Sequence, residues 1–167
     1  LIYDEDGRAV AMIGYIQDVT ERKNAEAQLH LQAAALASTA NAIVITDRQG
    51  VIEWVNPAYT ALTGFAFSEV VGKTPRLQKS GLHDETFYQQ LWETVLNGDV
   101  WHGEVINKRR DGSYYTEEQS ITPVPDEHGV ITHFVAIKQD ITLRKRDEEE
   151  KEKLLQQIHQ QAEQLQK

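Results

Sequence analysis

Residues 101–142 read WHGEVINKRRDGSYYTEEQSITPVPDEHGVITHFVAIKQDIT, and this stretch decides the fold. Two turn signals, Arg110-Asp111-Gly112 and Asp126-Glu127-His128-Gly129, cut it into three strand-like runs. The reading predicts strands over 100–109, 113–123 and 130–140. Before them, AIVITD (42–47) and VIEWVN (51–56) bracket an Arg-Gln-Gly turn and predict a hairpin. Asn56-Pro57 starts a short helix that ends at Gly64. Two more short pieces open at Ser68 and at Thr74-Pro75. Residues 84–97 predict one longer amphipathic helix, with Phe87, Leu91 and Val95 recurring every four residues. Tyr88, Trp92 and Leu96 broaden its stripe, Asp84 caps it and Asn97-Gly98 ends it. The order β-β-α-α-α-α-β-β-β predicts an α+β fold: five antiparallel strands, helices across one face, and a pocket between the layers.

The flanks repeat one another. Residues 2–23 and 124–145 align without a gap at an offset of 122 with eight identities, ending in a shared Gln-Asp-x-Thr-x-Arg-Lys. The expected organisation is the last strands of an upstream repeat at 1–20, a linker helix at 21–39, the main domain at 40–142 and a helical connector at 143–167. Thr20 is the expected cap of the linker helix. In the connector, Leu154, Ile158 and Leu165 fall on a heptad-like seam that Gln161 weakens. A homodimer through both helices is the expected partner arrangement. A chain that begins at Leu1 rather than Met reads as part of a longer protein.

Composition removes whole classes of function. The 167 residues carry 17 basic and 26 acidic side chains, a net charge of −9, which disfavours a nucleic-acid partner. No apolar run spans a membrane and no signal peptide is visible, so a cytoplasmic location is expected. With no cysteine, thiolate metal sites, disulfides and thiol adducts are excluded. The six histidines show no metal-site spacing. Phosphate loops and nucleophile elbows are absent. His159 lacks the acidic neighbour and proline of a phosphoacceptor helix. Nothing in the chain reads as catalytic.

The motifs NPAYTALTGF, SEVVGKTP, FYQQLW, WHGEVINKRRDG and QDIT, in that order, resemble the PAS (sensory box) family over residues 36–142. The resemblance implies a sensory or dimerisation module of a bacterial-type signalling protein, such as a sensor histidine kinase or a cyclic-di-GMP enzyme. WHGEVINKRRDG is similar to flavin-type PAS modules, including nitrogen-fixation redox sensors that hold FAD. That likeness places Asn107 where an amide meets the edge of the isoalloxazine ring, and Trp101 where it stacks on or walls in the ring. The alternative for these two residues is core filling and a strand-end cap.

The chain also departs from its flavin-binding relatives. Pro75 stands where light-sensing relatives carry the adduct-forming cysteine, Lys138 replaces a glutamine, and Glu117 replaces a second amide. Glu117 and Lys138 either pair with each other or meet an anionic ligand. A haem reading rests on His83 as axial ligand, against polar neighbours. A cofactor-free relay scaffold, its pocket filled by Trp54, Trp101 and Tyr115, is the remaining alternative. Signal relay is expected at Asp140 and Thr142, repeated at Asp18 and Thr20, where an Asp and a Thr can fix the angle of a departing helix.

Overall fold

The computed structural model describes residues 2–3, 5–11 and 20–165. It divides into two compact units, Leu1–Ala35 and Leu36–Lys167. In the first unit, β1 (Ile2–Tyr3) pairs antiparallel with β2 (Ala9–Ala11) around Gly7, whose φ of 76° is left-handed. Helix α1 (Thr20–Ser38) follows, and its residues 21–38 are exposed throughout. Thr20 is its first helical residue rather than a residue outside it. Asp18 lies outside the described residues, and so does the side chain of Thr20.

The second unit has the expected order. It contains β3 (Ala42–Asp47), β4 (Ile52–Val55), α2 (Pro57–Thr63), α3 (Phe67–Val70), a 3-10 turn (Pro75–Gln78), α4 (Glu85–Leu96), β5 (Trp101–Lys108), β6 (Tyr114–Pro125), β7 (Ile131–Asp140) and α5 (Thr142–Leu165). The strands form one antiparallel sheet in the order β4-β3-β7-β6-β5. The last three strands form a meander, and β3 closes on β7, so the chain's two halves meet at the centre of the sheet.

Local chemistry explains the elements. Asn56 is fully buried and serves two purposes. Its Oδ1 accepts the Ile43 and Tyr59 N–H groups at 2.9 and 3.0 Å, which caps α2 and ties it to β3. Its Nδ2 donates to the Asn41 carbonyl at 2.9 Å and to Thr39 Oγ1 at 3.1 Å, which anchors the chain entering the sheet. Asp84 caps α4 by accepting the Phe87 N–H at 2.8 Å. Ala42, Val44, Ile52, Val55, Tyr59, Val70 and Ala136 form the buried core under α2 and α3.

Helix α4 departs from a fully closed stripe. Leu91 and Val95 are buried, whereas Leu96 is 47% exposed. The reason is that this helix covers a hollow, not a packed sheet: Leu91, Trp92, Val95 and Leu96 all line it.

The two flanking hairpins are built alike. The pairs Ile2↔Ala11 and Tyr3↔Ala9 correspond, at the offset of 122, to Val124↔His133 and Pro125↔Ile131. The irregularity in register falls at the same step in both, and Gly129 repeats the left-handed φ of Gly7 at 79°.

Candidate functional site

The hollow is a chamber of about 810 Å³ between the inner face of the sheet and a wall made by α4 and the 3-10 turn. Its apolar lining includes Val44, Val105, Ile121, Phe134 and Ala136 from the sheet. Asn107, Gln119 and Lys138 supply polar groups, and Arg48, Arg76, Lys79, Glu85 and Glu93 charged ones. This combination of apolar walls and a few convergent polar groups is that of a small-molecule site.

The wall is fastened to β5 at three points. Lys79 forms a bridge with Asn107, Ser80 donates to the Ile106 carbonyl, and His83 Nε2 accepts the Ile106 N–H at 2.8 Å. His83 is therefore a neutral acceptor stacked on Phe87, with ring centroids 4.2 Å apart. The lone pair that an iron would need on Nε2 is engaged by the backbone, which argues against haem at this residue.

A buried polar chain runs along one side of the chamber. The Gln78 amide donates to the Tyr59 hydroxyl at 2.8 Å. Lys138 Nζ donates to Gln78 Oε1 at 3.3 Å and to Glu117 Oε1 at 2.7 Å. Asn107 Nδ2 also donates to Glu117 Oε1, at 2.9 Å. Lys138 is 3% exposed and Glu117 0%. Such a pair survives burial only because each charge has the other and further hydrogen bonds beside it. Burial, and then the negative charge of Glu117, push the phenols of Tyr59, Tyr88 and Tyr115 above the usual tyrosine range. At ordinary pH these phenols keep their protons. The Tyr115 hydroxyl and Glu117 Oε2 are buried with no hydrogen-bond partner among the described residues.

Of the site residues expected from sequence, Pro75, Asn107 and Lys138 line the chamber, and Glu117 is bonded to two of them without itself lining it. Trp101 lies outside the lining. Its indole folds over Gly103, where an added Cβ would stand 2.6 Å from the ring, and it meets Phe87 edge-on at 5.8 Å. Sequence reasoning missed Gln78, Gln119 and Arg109. Gln119 sits two residues beyond Glu117 on the same strand face, so strand alternation could have found it.

The exit from the sheet is a compact knot. Asp140 Oδ1 accepts the N–H and the hydroxyl of Thr142. The Thr116 N–H donates to Thr142 Oγ1 at 2.9 Å, and the Ile141 N–H to the Thr116 carbonyl at 2.9 Å. Asp140 Oδ2 accepts from Arg109 Nη2 at 2.7 Å, and the Arg109 guanidinium lies 4.3 Å from the centre of the Tyr115 ring. Lys145 Nζ reaches Glu104 at 2.7 Å, a further tie between α5 and the sheet.

Comparison with known proteins places this architecture. A 102-residue stretch is 36% identical to a nitrogen fixation regulatory protein of Klebsiella oxytoca, covering 61% of this chain and 21% of that protein. Another, of 117 residues, is 30% identical to hybrid signal transduction histidine kinase L of Dictyostelium discoideum, covering 70% of this chain and 7% of that one. The chain thus spans about a fifth of the length of the nitrogen fixation regulator and less of the kinase. Among solved structures, the PAS domain of a Colwellia psychrerythraea protein superposes with a TM-score of 0.65 at 26% identity, over 69% of this chain and 98% of that one. An RNA-binding light-oxygen-voltage receptor superposes with a TM-score of 0.71 at 23% identity, over 89% of this chain and 42% of that one, a likeness of fold. No helix among the described residues is long and apolar enough to cross a membrane. The PAS domain model matches residues 40–143, the span that builds the sheet, the chamber and the exit knot, and the chain belongs to the PAS domain family.

Proposed function

We propose that the chamber of this PAS sensory module holds a flavin, FAD, and that the flavin's redox state is relayed through Asp140 and Thr142 into α5. The single observation that carries the reading is the chamber's chemistry: apolar walls on both sides of a polar edge formed by Asn107, Gln119 and Lys138. Gln119 is buried, and its amide has no side-chain hydrogen bond among the described residues. An amide offers both a donor and an acceptor, which suits a ring edge with N–H beside C=O. Arg48, Arg76 and Lys79 suit the diphosphate of FAD. When bound, the flavin supplies electron-transfer chemistry. The protein's own residues orient the ring, exclude water and register its charge.

With no cysteine in the chain, light-driven thiol adducts play no part. The pairing of β1 with β2 repeats the strand register of the β6–β7 hairpin, which supports reading residues 1–20 as the end of a preceding PAS repeat. The exposed leucines of α1 (Leu29, Leu31) and the exposed Leu154, Leu155 and Ile158 of α5 support a homodimer in which both helices connect modules. The output domain proposed is a histidine kinase or a cyclic-di-GMP enzyme.

An absorption spectrum of freshly purified protein tests the reading. Bands at about 370 and about 450 nm are expected for bound flavin. A bare protein spectrum that persists after incubation with FAD would favour the cofactor-free relay scaffold, and a Soret band would favour haem.

A further inference from the structure

We infer that Lys138 biases the chamber toward a ligand that gains negative charge, and so raises the reduction potential of the flavin proposed above, on which this inference rests. An ammonium has three N–H groups. Two of them are taken, by Glu117 Oε1 and Gln78 Oε1. The third is unassigned, and Lys138 is itself part of the chamber lining. Its counter-charge is placed differently. Glu117 is 0% exposed and, unlike Lys138, is not part of the chamber lining, so the lysine is the member of the pair that stands next to the ligand.

The other groups around the pair do not cancel this arrangement. Tyr59, Tyr88 and Tyr115 remain uncharged phenols, and Asn107 and Gln78 are neutral amides. The acids of the lining, Glu85 and Glu93, belong to α4, on the wall opposite the sheet, and share that wall with Arg76 and Lys79, while Arg48 adds a further positive charge from the β3–β4 turn. A charge fixed in a site that excludes water acts strongly on charge that develops beside it. Reduction of a flavin by two electrons with uptake of one proton leaves one negative charge on the ring. That state is the one a buried ammonium on a lining residue favours, and charge beside the ring is a recognised lever on its potential.

The experiment is an equilibrium titration of flavin-loaded protein with dithionite, which supplies the two electrons and is itself oxidised to sulfite, while solvent supplies the proton. A reference dye reports the potential. Lys138→Met with Glu117→Gln removes both charges together and leaves no buried ion unpaired. It is expected to lower the equilibrium ratio of reduced to oxidised flavin at least tenfold, about 30 mV for a two-electron couple. Glu117→Gln alone removes the charge paired with the lysine and is expected to shift the ratio the opposite way. Lys138→Arg keeps the charge and is expected to leave the ratio close to wild type. If the double variant does not fold, as judged by circular dichroism, the opposing behaviour of the two single variants still decides. Flavin bound in every variant with unchanged potentials would overturn the role of Lys138 and leave the flavin reading standing. No flavin bound by the wild type, even after loading with FAD, overturns both.

Discussion

Arg109 and Asp140 are joined by a 2.7 Å ion pair between the end of β5 and the last residue of β7. The same guanidinium lies over the ring of Tyr115, which shares the inner face of β6 with Glu117. Thr116, between them in sequence, holds Thr142 at the start of α5. The chamber's side wall and the root of the exit helix are therefore two sides of one strand segment.

Removing the Asp140 carboxylate tests this knot. Asp140→Ala leaves the Thr142 N–H without its acceptor and Arg109 without its partner. A loss of about 1–2 kcal/mol is expected in urea unfolding, with the sheet intact.

The pH dependence follows from the same residue. Burial pushes the Asp140 carboxyl up, but the Thr142 hydroxyl and amide and the Arg109 guanidinium together hold it below its ordinary 3.8. A depressed carboxyl contributes stability that is present above the unfolded value and lost as pH falls through the folded value. Unfolding midpoints should therefore fall more steeply below pH 3.8 in the wild type than in Asp140→Asn.

Breaking the buried pair on one side is expected to be costly. Glu117→Ala strands the Lys138 ammonium in the interior and should cost about 3–5 kcal/mol. Replacing both residues by apolar ones of similar size should cost much less, because no charge is left uncompensated. Comparing the two variants by chemical denaturation separates the penalty of an orphaned charge from the worth of the pair.

Gly103→Ala addresses the place of Trp101. The new methyl would stand 2.6 and 2.7 Å from indole carbons, so the ring must move. A cost of about 1–3 kcal/mol, typical of overpacking, is expected together with a changed near-ultraviolet circular dichroism spectrum. An unchanged spectrum would mean that the indole does not rest there.

Much of the architecture was legible because it follows from local rules. The Gly turns, the Asn56-Pro57 start and the spacing of Leu91 and Val95 placed every element of the sheet and α4 to within a residue or two at most ends. The site was less legible. In β6 the run Thr116-Glu117-Glu118-Gln119-Ser120 is polar on both faces, so hydropathy does not mark Glu117 and Gln119 as inward. Gln78 lies in an aperiodic segment whose path is set by its ties to β5. The sequence placed Trp101 on the correct face of its strand, but strand period cannot foresee that the bare backbone of Gly103 draws the indole aside. Arg109 reads as one more basic residue of a turn until the ends of β5 and β7 are seen together.

The most direct test of the relay is amide hydrogen exchange at the exit knot in oxidised and dithionite-reduced, flavin-loaded protein. The amides of Thr116, Ile141 and Thr142 bond to Thr142 Oγ1, the Thr116 carbonyl and Asp140 Oδ1. They should change protection between the two states, while Tyr59, whose amide is held by Asn56, should not. Equal protection at all of them in both states would contradict the claim that the chamber's charge is read where α5 leaves the sheet.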